Sequence, residues 1–252
     1  VLKLAQMGAK VVVNVKKGID EAMETLEMVR KLGGEGIVVQ VDVSSEEGAR
    51  HLINEAVKQL GSVDILVNNA GFGIAAPIEQ VDEKLWDKQL NVLLRSSFFT
   101  SKYAAEVMKQ RGWGRIVNVT SVAGIIGMKH VVPYCAAKAG LIGLTRALAA
   151  ELSEYGITVN AVAPSLVKTK MGLSLLVKYI DRQKGAGESL EDAISRWEKA
   201  HTLVGRLPTE EEVASLICYL ASPDADAVTG QVFVIDSGWT LVESRNYVYL
   251  YL

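Results

Sequence analysis

Short apolar runs and longer amphipathic segments alternate along the chain. Val11 to Val15, Ile37 to Val41, Val63 to Val67, Ile116 to Val119, Ile157 to Val162 and Val232 to Ile235 are rich in β-branched residues, and each follows shortly after a glycine. Apolar runs of this length fit parallel strands covered on both faces. The period between them is helical. Ile19 to Leu32 carries Ala22, Leu26 and Val29 on one face, and Ser44 or Ser45 caps a helix reaching Leu60 with Glu46 and Glu47 in its first turn. Asp82 opens a helix to about Gln110 and Pro133 one to about Tyr155, while Thr209 starts a last one that ends before Pro223. Strand–helix–strand units of this length predict right-handed crossovers and one α/β domain with a doubly wound parallel sheet. Ligands of such sheets sit at the C-terminal ends of the strands.

The 252 residues are 49% hydrophobic and 22% charged, and 27 Lys+Arg against 29 Asp+Glu leave a formal charge of −2. A chain of this length and apolar content buries a sizeable core, which excludes chain-wide disorder. The near-zero balance excludes a global attraction to nucleic acid or to an anionic membrane, though not a local basic groove. Cys135 and Cys218 stand alone, without a CxxC or Cys/His cluster, so no metal site is expected. The start, Val1-Leu2-Lys3-Leu4-Ala5, shows no basic-apolar-cleavage pattern and no long apolar run. The expectation is a soluble, cytoplasmic protein.

The sharpest chemical signal is Tyr134-Cys135-Ala136-Ala137-Lys138. Tyr and Lys at i and i+4 share a helical face. A phenol ordinarily titrates near 10, and an ammonium one turn away favours the phenolate, so the pair is expected to act as a tuned general acid/base. Taken alone, the same spacing describes many ordinary surface pairs. Upstream, Val117 to Gly124 reads as a strand running into a small-residue loop that places Ser121 at the strand's C-terminal end, where its hydroxyl can meet a substrate oxygen. Asn68-Asn69-Ala70-Gly71 follows another strand and permits close approach by a flat ligand, although Asn and Gly are also common turn residues. Asn91 lies mid-helix, where an amide faces solvent or joins a buried network.

With these residues in this order, the chain from Gly8 to about Leu241 resembles the short-chain dehydrogenases/reductases. Asn68-Asn69-Ala70-Gly71, Asn91, Ser121, Tyr134-x-x-x-Lys138, Pro164 and Thr169 carry the resemblance. It implies a Rossmann-type fold and a nicotinamide cofactor. Tyr134 would be the general acid in carbonyl reduction or the base in alcohol oxidation. Lys138 would lower its pKa and hold the nicotinamide ribose. Ser121 would orient the substrate oxygen, and Asn91 would complete a proton relay through water. Asp42-Val43 would receive the adenine, Asn69, Ala70 and Gly71 would line the adenosine channel, and Pro164, Ser165, Val167 and Thr169 would wrap the nicotinamide amide. The family normally has Gly where Ser165 stands, and a Cβ there restricts φ.

The family also opens with a strand and a Thr-Gly-x-x-x-Gly-Ile-Gly turn that cradles the pyrophosphate, and neither stands in this sequence. Val1 to Met7 reads as the end of the helix after that turn. Either an N-terminal piece is omitted or the protein lacks it; the missing initiator Met favours omission. A sheet without that strand is expected to expose two apolar edges. The strand Val11 to Val15, which matches the family's second, runs into Lys16-Lys17 with no carboxylate at its end, which favours NADP over NAD.

Family substrates meet Met128, His130, Val131, Met171 and Leu175, which suits a small or medium carbonyl compound or alcohol. The segment 170–204 reads as a lid with a break at Gly185-Ala186-Gly187. The apolar tail in 242–252, Tyr247 to Leu252, is expected to be buried either on a neighbouring subunit or on its own, and the family is usually tetrameric. The resemblance leaves a 3-oxoacyl thioester reductase, a glucose, polyol or butanediol-type alcohol dehydrogenase, and a catalytically silent member all open.

Overall fold

The computed structural model describes residues 1–180 and 188–242. All six predicted strands form, as β1 (Val11–Val15), β2 (Gly36–Gln40), β3 (Ile65–Asn68), β4 (Gly114–Val119), β5 (Ile157–Pro164) and β6 (Val232–Ile235). The helices among the described residues are α1 (Leu2–Gln6), α2 (Ile19–Lys31), α3 (Glu46–Leu60), α4 (Glu83–Leu90), α5 (Ser96–Arg111), α6 (Val132–Leu152), α7 (Lys170–Ile180), α8 (Leu190–His201) and α9 (Glu210–Ala221). A single 3₁₀ turn, Ser153–Tyr155, extends α6. The break expected at Gly185-Ala186-Gly187 and the tail Tyr247 to Leu252 lie outside the described residues.

Every strand pairing is parallel, in the order β1-β2 and β3-β4-β5-β6. All eight residues of β5 are buried, the signature of a strand covered on both faces. The sheet is therefore in two parts. Between them lies a cavity of about 1460 Å³, lined on one side by Val11 to Asn14 of β1 and on the other by Ile65 to Asn68 of β3. The two edges anticipated from the sequence face this cavity. Val12 still joins β1 to the main core, packing against the cluster of Ile53, Leu66, Met108, Ile116, Leu152 and Val159.

The helix ends follow their local chemistry. Ser45, not Ser44, caps α3 and accepts from Gly48 N at 3.1 Å, and Asp82 caps α4 through Leu85 N at 2.7 Å. Thr209 and Glu212 form a reciprocal capping box on α9. Arg206 grips Glu212 with both guanidinium nitrogens, at 2.8 and 2.7 Å. Arg206 and the backbone of Thr209 hold that exposed carboxyl down at about 2.

The helix expected from Asp82 to about Gln110 is interrupted. Asn91–Arg95 forms a π turn between α4 and α5. A π turn inserts an extra residue, so the side chains before and after it fall out of step with one 3.6-residue wheel. Ser96 Oγ and Ser97 Oγ donate to the carbonyls of Val92 and Leu93, at 2.6 and 3.3 Å.

A buried amide ladder fixes this helix to the sheet. Asn68 of β3 stands opposite Asn118 of β4 and donates to its Oδ1 at 2.8 Å. Thr100 Oγ1 donates to Asn68 Oδ1 at 2.7 Å, and Asn118 Nδ2 to Thr145 Oγ1 of α6 at 2.9 Å. Buried amides are tolerated when paired in this way, and losing one partner leaves the others unsatisfied. Asn118→Ala is expected to lower stability by roughly 1–3 kcal/mol, seen as a shifted urea midpoint at unchanged slope.

Candidate active site

β4 ends at Val119, and the chain turns at Thr120 and Ser121 into a 3₁₀ turn, Val122–Gly124. This is the C-terminal edge of the sheet, where the sequence placed the chemistry. Ser121 Oγ accepts from Ala123 N at 3.2 Å and donates to Pro164 O at 3.4 Å, which ties the end of β4 to the end of β5. The Tyr134 side chain lines the same cavity, and Ser121 is near enough to act on its hydroxyl.

Tyr134 and Lys138 lie in the first two turns of α6, whose start is set by Pro133. Lys138 is buried, and Nζ donates to Val119 O at 2.7 Å. Its own carbonyl accepts from Thr120 Oγ1 at 2.8 Å. Gly124 passes so close that a Cβ there would sit 2.7 Å from the Lys138 carbonyl carbon. On the other side, a Cβ on Gly71 would meet Leu93 Cδ2 at 2.7 Å, and Lys138 Nζ lies 3.9 Å from that position. Glycines at 71 and 124 thus let two loops close on the buried lysine.

Burial pushes the Lys138 ammonium down from 10.5 to about 8. The Tyr134 hydroxyl is also desolvated, and this raises its pKa although the nearby Ser121 pulls the other way. Here the sequence expectation is corrected. Lys138 does not lower the phenol in the chain alone, because the cost of burying a phenolate dominates. Lys138 Nζ stands 5.7 Å from the Tyr134 ring centre and is committed to Val119 O.

The structure brings Ser121, Tyr134 and Lys138 to one cavity, together with Val43, Asn69, Ala70, Gly71, Pro164, Ser165, Val167 and Thr169. It does not bring Asn91. Asn91 lines a separate outer groove with Asp87, Leu94, Phe98 and Gly140. Leu93, Ser96, Ser97 and Thr100 present the inner face to the cavity, and Leu93 is 1% exposed. Residues two apart on a helix point to different sides, so the amide expected beside Lys138 is replaced by an aliphatic side chain.

Asp42 also stands off the cavity wall. Its carboxylate pairs with Lys16 Nζ at 2.5 Å and accepts from Ser44 N and Oγ at 3.0 and 2.7 Å. Burial alone would raise this carboxyl, but Lys16 and Ser44 outweigh it and hold it low. Lys17 is exposed and has no ion pair among the described residues. Ser165 is not in the left-handed region, which among the described non-glycine residues holds only His130 and Ser237, so its Cβ brings no strain. Of the expected substrate contacts, Met128, Met171 and Leu175 line the cavity, while His130 and Val131 do not.

The sheet topology and the Ser121–Tyr134–Lys138 edge describe a Rossmann-like α/β protein. The sequence model for enoyl-(acyl carrier protein) reductase matches residues 1–240. An uncharacterized oxidoreductase of Thermotoga maritima is 39% identical over 238 residues, 94% of this chain and 90% of that one. D-beta-hydroxybutyrate dehydrogenase of Rhizobium meliloti is 35% identical over 240 residues, 94% of this chain and 91% of that one. The crystal structure of a gluconate 5-dehydrogenase from Burkholderia cenocepacia, in complex with NADP and tartrate, superposes with a TM-score of 0.83 at 29% identity, covering 95% of this chain and 89% of that one. The chain belongs to the short-chain dehydrogenase/reductase family and is an oxidoreductase. Among the described residues, no helix is long and apolar enough to cross a membrane.

The Lys138 environment carries a measurable signature. Its folded-state pKa lies below the unfolded value, so folding releases its proton between about pH 8 and 10.5. The cost of burying the charge is fully present below pH 8 and is relieved as pH rises through that window. NMR of 13Cε-labelled lysine in the unliganded protein should show one titration near 8 that disappears in Lys138→Met. A Lys138 midpoint above 10 would contradict the burial described.

Proposed function

We propose that the chain reduces a carbonyl compound, or oxidises the corresponding secondary alcohol, at Tyr134, with NADP(H) preferred. The observation that carries this reading is the convergence of Ser121 and Tyr134 on one cavity wall with the buried Lys138, at the C-terminal end of β4.

The residues present fit the adenosine and nicotinamide halves of a dinucleotide. Val43, Asn69, Ala70 and Gly71 line the cavity where an adenosine half would lie, with Asp42 just behind Val43. The close approach of Gly71 to Leu93 keeps that wall flat. Pro164, Ser165, Val167 and Thr169 line it near Tyr134, on the nicotinamide side. When bound, the cofactor supplies or accepts the hydride. Ser121 donates a hydrogen bond to the substrate oxygen. Tyr134 gives its phenolic proton to that oxygen in reduction and takes it back in oxidation. Lys138, held by Val119 O one helical turn from the phenol, would hold the nicotinamide ribose.

The preference for NADP(H) rests on Lys16 and Lys17 after β1. Asp42 partly neutralises Lys16, which leaves Lys17 as the freer charge for a 2′-phosphate. Within the segment 170–204 read as a substrate lid, Met171 and Leu175 of α7 line the cavity wall, which supports that reading. The family resemblance supports a cytoplasmic homotetramer.

Tyr134→Phe should lower turnover by at least about 10²-fold while the circular dichroism spectrum and NADPH binding stay as in the parent. Unchanged turnover removes Tyr134 from the mechanism. NADPH should bind more tightly than NADH by fluorescence titration, and joint Lys16→Ala and Lys17→Ala substitution should cost roughly tenfold in NADPH affinity alone, the effect of two exposed charge pairs. Tighter NADH binding by the parent would reject the lysine assignment.

A further inference from the structure

The bonds of Lys138 fix the helix that carries Tyr134, but they leave the phenol ring to be placed by what packs against it. Part of that packing is the loop of residues 69–77, between β3 and the turn that starts at Ile78. A Cβ on Gly73 would lie 3.5 Å from Tyr134 Cδ2 and 3.8 Å from Cε2, so the loop backbone passes against the ring. The same loop approaches Lys138 Nζ at Gly71. Phe72, Gly73 and Tyr134 line the cavity together.

Asn69 to Pro77 contains no ionisable side chain. What holds the loop is one buried amide. Gln89, the sole buried residue of α4, is 0% exposed. Its Oε1 accepts from Ile74 N at 3.1 Å and its Nε2 donates to Ile74 O at 3.4 Å. The two bonds imitate a strand partner, and they need a donor and an acceptor side by side on one planar group. Two residues on, Ala76 N donates to His130 O at 2.7 Å. His130 stands in the left-handed region at φ 63°, which a non-glycine residue keeps only when its neighbours hold it. It directly precedes Val131, the fully buried N-cap of α6. The loop is thus pinned just beyond Gly73, first to α4 and then to the start of the helix that bears Tyr134. The loop after β5 is fixed by charge instead. There Lys168 lies 2.9 Å from Glu198 of α8, a buried carboxylate that also accepts from Leu207 N at 2.9 Å.

We propose that Gln89 is a positioning residue for Tyr134: its amide holds the loop 69–77 against the phenol ring and so keeps the hydroxyl aimed at the cavity beside Ser121. This rests on the reading of Tyr134 as the proton donor. Without the amide, Ile74 N and O lose their partners, and the loop moves outward to reach water. The ring then loses one wall and gains hydration.

Gln89→Leu removes both bonds at similar volume. Gln89→Glu separates them by protonation: a neutral carboxyl accepts from Ile74 N and donates to Ile74 O, whereas a carboxylate can only accept. The first readout needs no turnover. In the unliganded full chain labelled with 13Cζ-tyrosine, the resonance that Tyr134→Phe removes should shift in Gln89→Leu. In Gln89→Glu it should stay at the parent position at about pH 5.5, where a buried carboxyl is neutral, and leave it as the carboxyl ionises. Thr209→Ala, which removes the α9 cap and makes none of these bonds, is the stability control and should leave the resonance in place. An unmoved resonance in Gln89→Leu, or an equal shift in Thr209→Ala, overturns the proposal. Initial rates of NADPH oxidation with ethyl acetoacetate separate it from the reading it rests on. In Gln89→Leu, kcat should fall by roughly tenfold or more while the KM for NADPH stays within about threefold of the parent, because misplacing a reacting group costs rate more than binding. A shifted resonance at parent-level kcat retains the placement of the ring by Gln89 and rejects Tyr134 as the proton donor.

Discussion

The site depends on how Lys138 is held. Its ammonium donates to the last carbonyl of β4, its backbone carbonyl accepts from the next residue, Thr120, and Gly124 closes on the same peptide. Three contacts from one strand end and its loop thus grip one residue of α6. Because Tyr134 is one turn away on the same helix, the grip that fixes the lysine also fixes the phenol relative to Ser121. A buried cation is costly unless hydrogen-bonded, so the arrangement is specified tightly or not at all.

Much of this geometry was legible in the sequence. Short β-branched runs became strands because strands covered by helices on both faces need no polar alternation. Ser45, Asp82 and Thr209 became caps because each puts a side-chain oxygen where free amides begin. Ser121, Tyr134 and Lys138 converge because strand end and helix start are adjacent in this topology. The start of β3 shifted from Val63 to Ile65, since its ladder with β4 begins at Ile65 and Arg115.

What was not legible depended on packing. A mid-helix asparagine attracts attention because it is polar, but a π turn and a two-residue offset turned Asn91 outward and Leu93 inward. The amide ladder of Asn68, Asn118 and Thr145 leaves no period in the sequence, only two asparagines that prove to share a register. The direction of the Tyr134 shift depends on how much water its hydroxyl loses, which no spacing encodes. Likewise, nothing near Lys16 in the sequence reveals that Asp42, at the end of the neighbouring strand, meets it.

The Lys168–Glu198 pair has a mechanical consequence. Glu198 holds a loop lysine with the same oxygen that accepts Leu207 N, so α8 is bolted both to the segment after β5 and to the approach to α9. Breaking either attachment strands a carboxylate in an apolar interior. One oxygen thus couples the loop after β5 to α8 and to the approach to α9, and these cannot separate without leaving that carboxylate short of a partner.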